Sequence, residues 1–146
     1  MKHRIYVASS WRNRLQSDVV IRLREMGHKV YDFRNPGPGK HGFSWGQISE
    51  DYIKWTPKEY IENLKTNDVI AKAYKLDMDA LNWCNMCILL LPCGRSAHLE
   101  AGYAIGKGKM TAVYIDEEKF EPDLMYLMAD KISDNLDDIY SWIDSL

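Results

Sequence analysis

The sequence predicts an α/β fold: an open, doubly wound parallel sheet of about five strands in the order 2-1-3-4-5. Three observations carry this expectation. A β-prone run, Arg4-Ile5-Tyr6-Val7-Ala8, precedes a segment at 16–26 with Val19, Val20, Leu23 and Met26 on one helical face. A second β-prone run follows, Lys29-Val30-Tyr31-Asp32-Phe33, so the chain opens with a βαβ unit and its strands should pair in parallel. Residues 86–91, Met-Cys-Ile-Leu-Leu-Leu, are continuously apolar, as a central parallel strand covered on both faces requires.

The remaining elements follow in order. Gly27 ends the first helix as a C-cap. Residues 34–45 are rich in Gly, Pro and Asn, with Pro36-Gly37-Pro38-Gly39 in succession, and loops this long are functional or mobile. Trp45, Tyr52, Trp55 and Tyr60 crowd the next stretch, which reads as a loop plus short helices covering the sheet edge or forming a lid. Residues 67–83 are expected as helix, 96–107 as helix, 110–115 as the fourth strand and 121–128 as a short helix. A short fifth strand is placed near 130–132 and a terminal helix at 135–146. The whole chain, 1–146, reads as one flavodoxin- or Rossmann-like domain.

Composition narrows the function classes. A hydrophobic share of 46% and a charged share of 27% are ordinary for a globular protein. A net charge of −2 disfavours a nucleic-acid polymer as partner, yet leaves room for a small phosphorylated ligand held by one local basic group. Met1-Lys2-His3-Arg4 is not followed by an apolar leader, and the run at 86–91 is too short to span a bilayer. With three cysteines and no leader, the expectation is a cytoplasmic chain with reduced thiols and no membrane association. Cys84-Asn85-Met86-Cys87 is formally a CxxC, but it lacks a second ligand pair for zinc. It also ends a helix and enters a strand, the reverse of a redox motif, so both cysteines read as buried structural residues. No metal site and no cofactor are expected.

In such a sheet, ligands bind beyond the carboxyl ends of the strands where the strand order reverses, here between strands one and three. Two loops meet at that point: Ser9-Ser10-Trp11-Arg12-Asn13 and Pro92-Cys93-Gly94-Arg95-Ser96. The second opens a helix, whose N–H groups and dipole favour an anion, and Arg95 adds a permanent charge. Ser96 also reads as a plain N-cap and Arg95 as a solvated charge. Glu100 stands out. With Ser96 as cap it falls at N4, one residue past the capping-box position held by Leu99. Ala101, Gly102, Ala104 and Gly106 surround it with small residues that let the helix lie close to the sheet or to a ligand.

Four segments, in order, resemble the nucleoside 2-deoxyribosyltransferase family. Ile5-Tyr6-Val7-Ala8-Ser9-Ser10-Trp11 resembles its opening strand and loop, and Asp77-Met78-Asp79-Ala80-Leu81 its acidic helix ahead of strand three. Leu99-Glu100-Ala101-Gly102-Tyr103-Ala104 is similar to its nucleophile motif. Pro122-Asp123-Leu124-Met125 resembles the segment that enters a neighbouring subunit's site. The stretch 35–75 carries no such likeness. The resemblance implies that Glu100 attacks the anomeric carbon of a pentose, that Tyr6 orients its carboxylate and that Asp79 contacts the sugar hydroxyls. It also implies that Trp11 lines the base pocket and that Asp123, with Met125, completes the site of a partner in a homodimer or higher homo-oligomer. Breaking an N-glycosidic bond builds oxocarbenium character that a carboxylate on the opposite face can trap, after which water or a second base resolves the glycosyl-enzyme.

One position departs from the family pattern. Its base-exchanging members carry an Asp six residues before the nucleophile, and Gly94 stands there. Gly94-Arg95-Ser96, facing Ser9, Ser10 and Arg12, is more similar to the phosphate-binding loop of the related 2′-deoxynucleoside 5′-monophosphate N-glycosidases. A nucleoside or, preferably, a nucleotide substrate is therefore expected, with hydrolysis and transfer both open. Two alternatives remain. A TIR-like NAD glycohydrolase also uses a helix-borne Glu beside a comparable first loop, and a non-catalytic nucleotide sensor could occupy the same fold. His98 reads as a solvated or packed residue and Asp77 as a supporting carboxylate.

Overall fold

The computed structural model describes residues 1–116, 118 and 120–146. Its strands are β1 (Arg4–Ala8), β2 (Lys29–Tyr31), β3 (Met86–Leu90), β4 (Met110–Tyr114) and β5 (Lys131–Ser133). All pair in parallel, in the order β2-β1-β3-β4-β5, which is the doubly wound α/β topology expected. The helices are α1 (Gln16–Glu25), α2 (Pro57–Thr66), α3 (Asp68–Trp83), α4 (Arg95–Gly106) and α5 (Leu136–Asp144). The chain forms two compact units, residues 1–32 with 81–146, and residues 33–80.

The first unit contains the sheet. Side chains alternate across a strand, so Ile5 and Val7 of β1 and Met86, Ile88 and Leu90 of β3 point to one face. There they form a core with Val19, Val20 and Leu23 of α1 and Ile139 and Ile143 of α5. The intervening residues Tyr6, Ala8, Cys87 and Leu89 are buried on the other face. That face receives α4, which packs on β3, β4 and β1. Its buried residues are Ala97, Ala101 and Ala104, spaced i, i+4, i+7, a stripe without bulk that lets the helix axis come close to the strands. Asn135 caps α5 by accepting from the Asp137 N–H at 2.9 Å. The Lys109 ammonium donates to the carbonyls of Asn82 (3.0 Å) and Cys84 (2.7 Å) as well as Leu81, closing the carboxyl end of α3 with a positive charge.

Three differences from the sequence expectation bear on the loops around the site. β2 stops at Tyr31, because Asp32 is buried and its Oδ1 accepts from the Gln16 side chain at 2.8 Å. The stretch near 121–128 forms a 3-10 helix over Leu124–Met128, opened by Asp123, whose carboxylate accepts from the Met125 N–H at 2.7 Å. The third is the start of α4: its N-cap is Gly94, not Ser96. Ser96 is thus the second helical residue, and Glu100 lies at N6, in the second turn rather than at N4. No helix among the described residues is long and apolar enough to cross a membrane.

The second unit is built around aromatic contacts. Trp45, opening a 3-10 turn at Trp45–Gln47, meets Phe43, Trp55 and Tyr60 edge-on at ring-centroid distances of 4.9, 6.2 and 5.7 Å. Thr56 and Glu59 make a reciprocal capping box at the start of α2, with Pro57 in its first turn. No residue of α2 is buried.

Candidate active site

The site begins with a strand residue. Tyr6 sits in the middle of β1, opposite Tyr31 of β2 and Cys87 of β3. It is fully buried and stacks on the Tyr31 ring at 5.2 Å. A buried phenol needs a partner for its hydroxyl. It donates to Oε2 of Glu100, which α4 carries over this face of the sheet. Glu100 is only partly buried. Its charge reaches the thiols on β3 and the loop beyond it. Burial pushes the Cys93 thiol up to about 12, with the Glu100 charge adding to the shift. Cys87 is raised further by burial, by Cys84 and by Glu100. These cysteines therefore stay protonated thiols; Cys84 and Cys87 are buried and free, the structural role expected of them.

The two loops of the strand-order reversal are joined by hydrogen bonds that the sequence did not reveal. The buried Ser9 hydroxyl donates to the Leu90 carbonyl at 2.9 Å. The Asn13 amide donates to the carbonyls of Leu90 and Pro92, both at 3.2 Å, and its Oδ1 accepts from the Leu15 N–H at 2.8 Å. Asn13 thus fastens the loop after β1 to the loop after β3. Its only signal in the sequence was an Asn in a turn just before a helix. Ser10 Oγ accepts from the Arg12 N–H at 3.2 Å, leaving Arg12 and Trp11 exposed, the latter by half its surface. At the other loop Gly94, Arg95 and Ser96 are all exposed. Gly94 offers no side-chain cap, so no capping side chain takes the first-turn N–H groups of α4, and Arg95 is the first residue of that turn.

His98 is packed rather than solvated. Its ring stacks on Tyr126 with centroids 5.9 Å apart, Nε2 lies 2.9 Å from the Tyr126 hydroxyl and Nδ1 lies 2.7 Å from the Gly94 carbonyl. Since a carbonyl only accepts, Nδ1 carries the proton and the Tyr126 O–H donates to Nε2. This pair fixes the 3-10 helix against the first turn of α4. Between them lies a cleft of about 530 Å³ lined by Leu91, Pro92, Cys93, His98, Pro122 and Tyr126, among others. Asp123 also lines it, while Met125 is 55% exposed within an apolar strip with Leu124, Leu127 and Met128.

Tyr6, Glu100 and the two loops thus belong to one end of one sheet. Asp79 belongs to the second unit, where its carboxylate pairs with Lys75 at 2.6 Å and is well exposed. Asp77, two residues earlier and so on nearly the opposite face of α3, is half buried. No group of three or more His, Cys, Asp or Glu side chains placed to hold a metal occurs among the described residues.

No family model and no curated protein matches the sequence. The chain is similar to a solved structure, the CMP N-glycosidase BcmB of Clostridium botulinum, at 17% identity and a TM-score of 0.55. The likeness covers 97% of this chain and 98% of that one. At this identity it is a likeness of fold, extending over the full length of both chains.

Proposed function

We propose that the chain is an N-glycosidase that cleaves the base–sugar bond of a nucleoside 5′-monophosphate, with Glu100 as nucleophile. The observation that carries this reading is the buried Tyr6 hydroxyl donating to the Glu100 carboxylate at the strand-order reversal, where open α/β sheets bind ligands. Glycosidic chemistry needs an oriented carboxylate near the anomeric carbon, and Tyr6 supplies orientation from a side chain that cannot move. The similarity in fold to a CMP N-glycosidase supports the reaction class.

In the first step a Glu100 oxygen bonds to C1′ as the C1′–N bond breaks, and the base departs with the bonding pair and takes up a proton from water. The Tyr6 hydrogen bond holds the carboxylate in orientation through this step. In the second step water adds to C1′, the ester C–O bond breaks and the carboxylate is restored, giving free base and pentose 5-phosphate. The N–H groups of the first turn of α4, which no capping side chain takes, hold the phosphate with Arg95. With glycine at 94, a carboxylate that would repel that phosphate is absent, and hydrolysis is favoured over base exchange. Trp11, half exposed at the mouth of the first loop, stacks on the base. Asp123 and Met125 serve a second copy, and the exposed strip Leu124, Met125, Leu127 and Met128 supplies apolar area for that contact.

The test is a substrate panel of ribo- and deoxyribonucleosides, their 5′-monophosphates and NAD, with free base read by chromatography. Release from a monophosphate that disappears in Glu100→Ala is the expected result. Base release that survives Glu100→Ala unchanged overturns the mechanism, and release from NAD alone replaces the substrate class.

A further inference from the structure

We propose that the second unit carries a binding groove for a small organic phosphate bearing a flat ring. The groove, about 520 Å³, is lined by α3 and by the loop of residues 40–47. That volume is in the range of small-molecule sites. Its floor is apolar: Phe43 from the loop and Val69, Ala73 and Leu76 from α3, which share a helical face through their i, i+4, i+7 spacing. Val69 keeps about half its surface exposed on this face, 49%.

The rim is cationic. Lys40, Lys72 and Lys75 line the groove with one acid, Asp79, a positive balance in a chain whose net charge is −2. Asp79 is already satisfied by Lys75 at 2.6 Å, which leaves the charge of Lys40 and Lys72 to an incoming anion. Flexible ammonium groups over an apolar floor suit a phosphate monoester, as point charges that need no planar geometry. The loop wall is held by its own bonds. The Lys40 N–H donates to the Gly37 carbonyl at 3.0 Å, and the Gln47 amide donates to the Gly42 carbonyl at 3.2 Å. Gly39, with φ of +72°, takes the left-handed conformation that the turn before Lys40 requires. Phe43 is itself braced edge-on by Trp45, so one ring face of the site is fixed before a ligand arrives.

The probe is 1-naphthyl phosphate, which has no N-glycosidic bond, titrated by tryptophan fluorescence and by amide chemical-shift mapping. Binding is expected to shift residues 40–47 and 69–79. It should be at least about tenfold tighter than that of 1-naphthol or inorganic phosphate alone, since both parts of the ligand are recognised. The double variant Lys40→Ala/Lys72→Ala should weaken it by about tenfold and flatten its salt dependence, and Phe43→Ala should weaken it several-fold. Because the lysines are surface groups, loss of fold does not confound the first variant. The same titration on Glu100→Ala should be unchanged, so failure of the N-glycosidase reading and failure of this one are separately visible. No saturable binding, binding indifferent to both lysines, or shifts confined to other residues overturns the proposal.

Discussion

Tyr6 illustrates how one side chain serves both stability and chemistry. Its ring fills the sheet face between Tyr31 and α4, and its hydroxyl reaches a carboxylate on another element. Replacing it with Phe keeps the packing and removes only the donor. Hydrogen bonds to charged groups contribute about 1.5–3 kcal/mol, so Tyr6→Phe should lower unfolding free energy by about that amount in urea titrations. It should also lower kcat for base release by about tenfold or more, with little change in KM, because orientation of the nucleophile matters in the transition state. Gly94 makes the complementary case. A Cβ there meets nothing within 4 Å, so the site has room for a larger residue. Gly94→Asp should change stability by only a few tenths of a kcal/mol, since Asp and Gly are both accepted at N-caps. The same variant should raise KM for a monophosphate while leaving a free nucleoside little affected, because it sets a negative charge beside the anion. Equal KM values for the two enzymes would remove the phosphate from this loop.

At the scale of the element, α4 is positioned by what it lacks. Ala97, Ala101 and Ala104 are its buried residues, and their small size sets the distance at which Glu100 meets Tyr6. Ala101→Leu would insert three carbons into a contact with no room for them. Overpacking of this kind costs about 1–3 kcal/mol, and here the displaced helix should separate Glu100 from the phenol. The expected result is a folded protein with lowered melting temperature and activity reduced as strongly as in Tyr6→Phe; full activity would show that α4 does not set the geometry. The 3-10 helix is held to α4 through His98 and Tyr126 and turns Leu124, Met125, Leu127 and Met128 outward. If that strip meets a second copy, Met125→Asp should shift the oligomer toward monomer in light-scattering measurements and lower activity at low protein concentration. A wild-type protein that is monomeric at all concentrations tested would separate Asp123 and Met125 from the site.

Over the whole molecule, the opposite end of the sheet is where acid acts. His3 and His28 sit at the amino ends of β1 and β2, both buried, with rings 5.4 Å apart. The His3 N–H donates to His28 Nδ1 at 3.0 Å, and the Asn85 amide lies 3.3 Å from His3 Nδ1. Each bond needs a bare ring nitrogen, and each Nε2 is buried with no hydrogen-bond partner among the described residues. Burial holds both imidazoles below their ordinary 6.5, assisted by the amino terminus for both and by His3 for His28, while Asp144 pulls His28 the other way. The unfolded chain therefore binds more protons than the folded one just below that value. Stability should be constant above about pH 6.5 and fall as the pH drops from there toward the folded-state values. Urea midpoints at about pH 7.5 and about pH 5.5 should differ, and His28→Asn, which can still accept the His3 N–H, should narrow the gap. Identical midpoints would show that the pair does not titrate with folding.

The strands, their parallel pairing and their order were legible because a βαβ opening and an apolar central strand leave few alternatives once connections are short and right-handed. Glu100 stood out in the sequence as a candidate, since a carboxylate among Ala and Gly residues breaks the local pattern of a packing helix. The cap of α4 was misplaced because Ser96 has the better capping side chain, and only the path of the chain out of β3 puts Gly94 there. The partners of Asn13, Lys109 and Tyr126 were not legible, since each acts on groups that are distant in sequence. Local preference and periodicity are properties of neighbouring residues and so are written in the sequence. Which buried phenol meets which carboxylate depends on the closeness of α4 to β1, and that distance exists only after the sheet has packed.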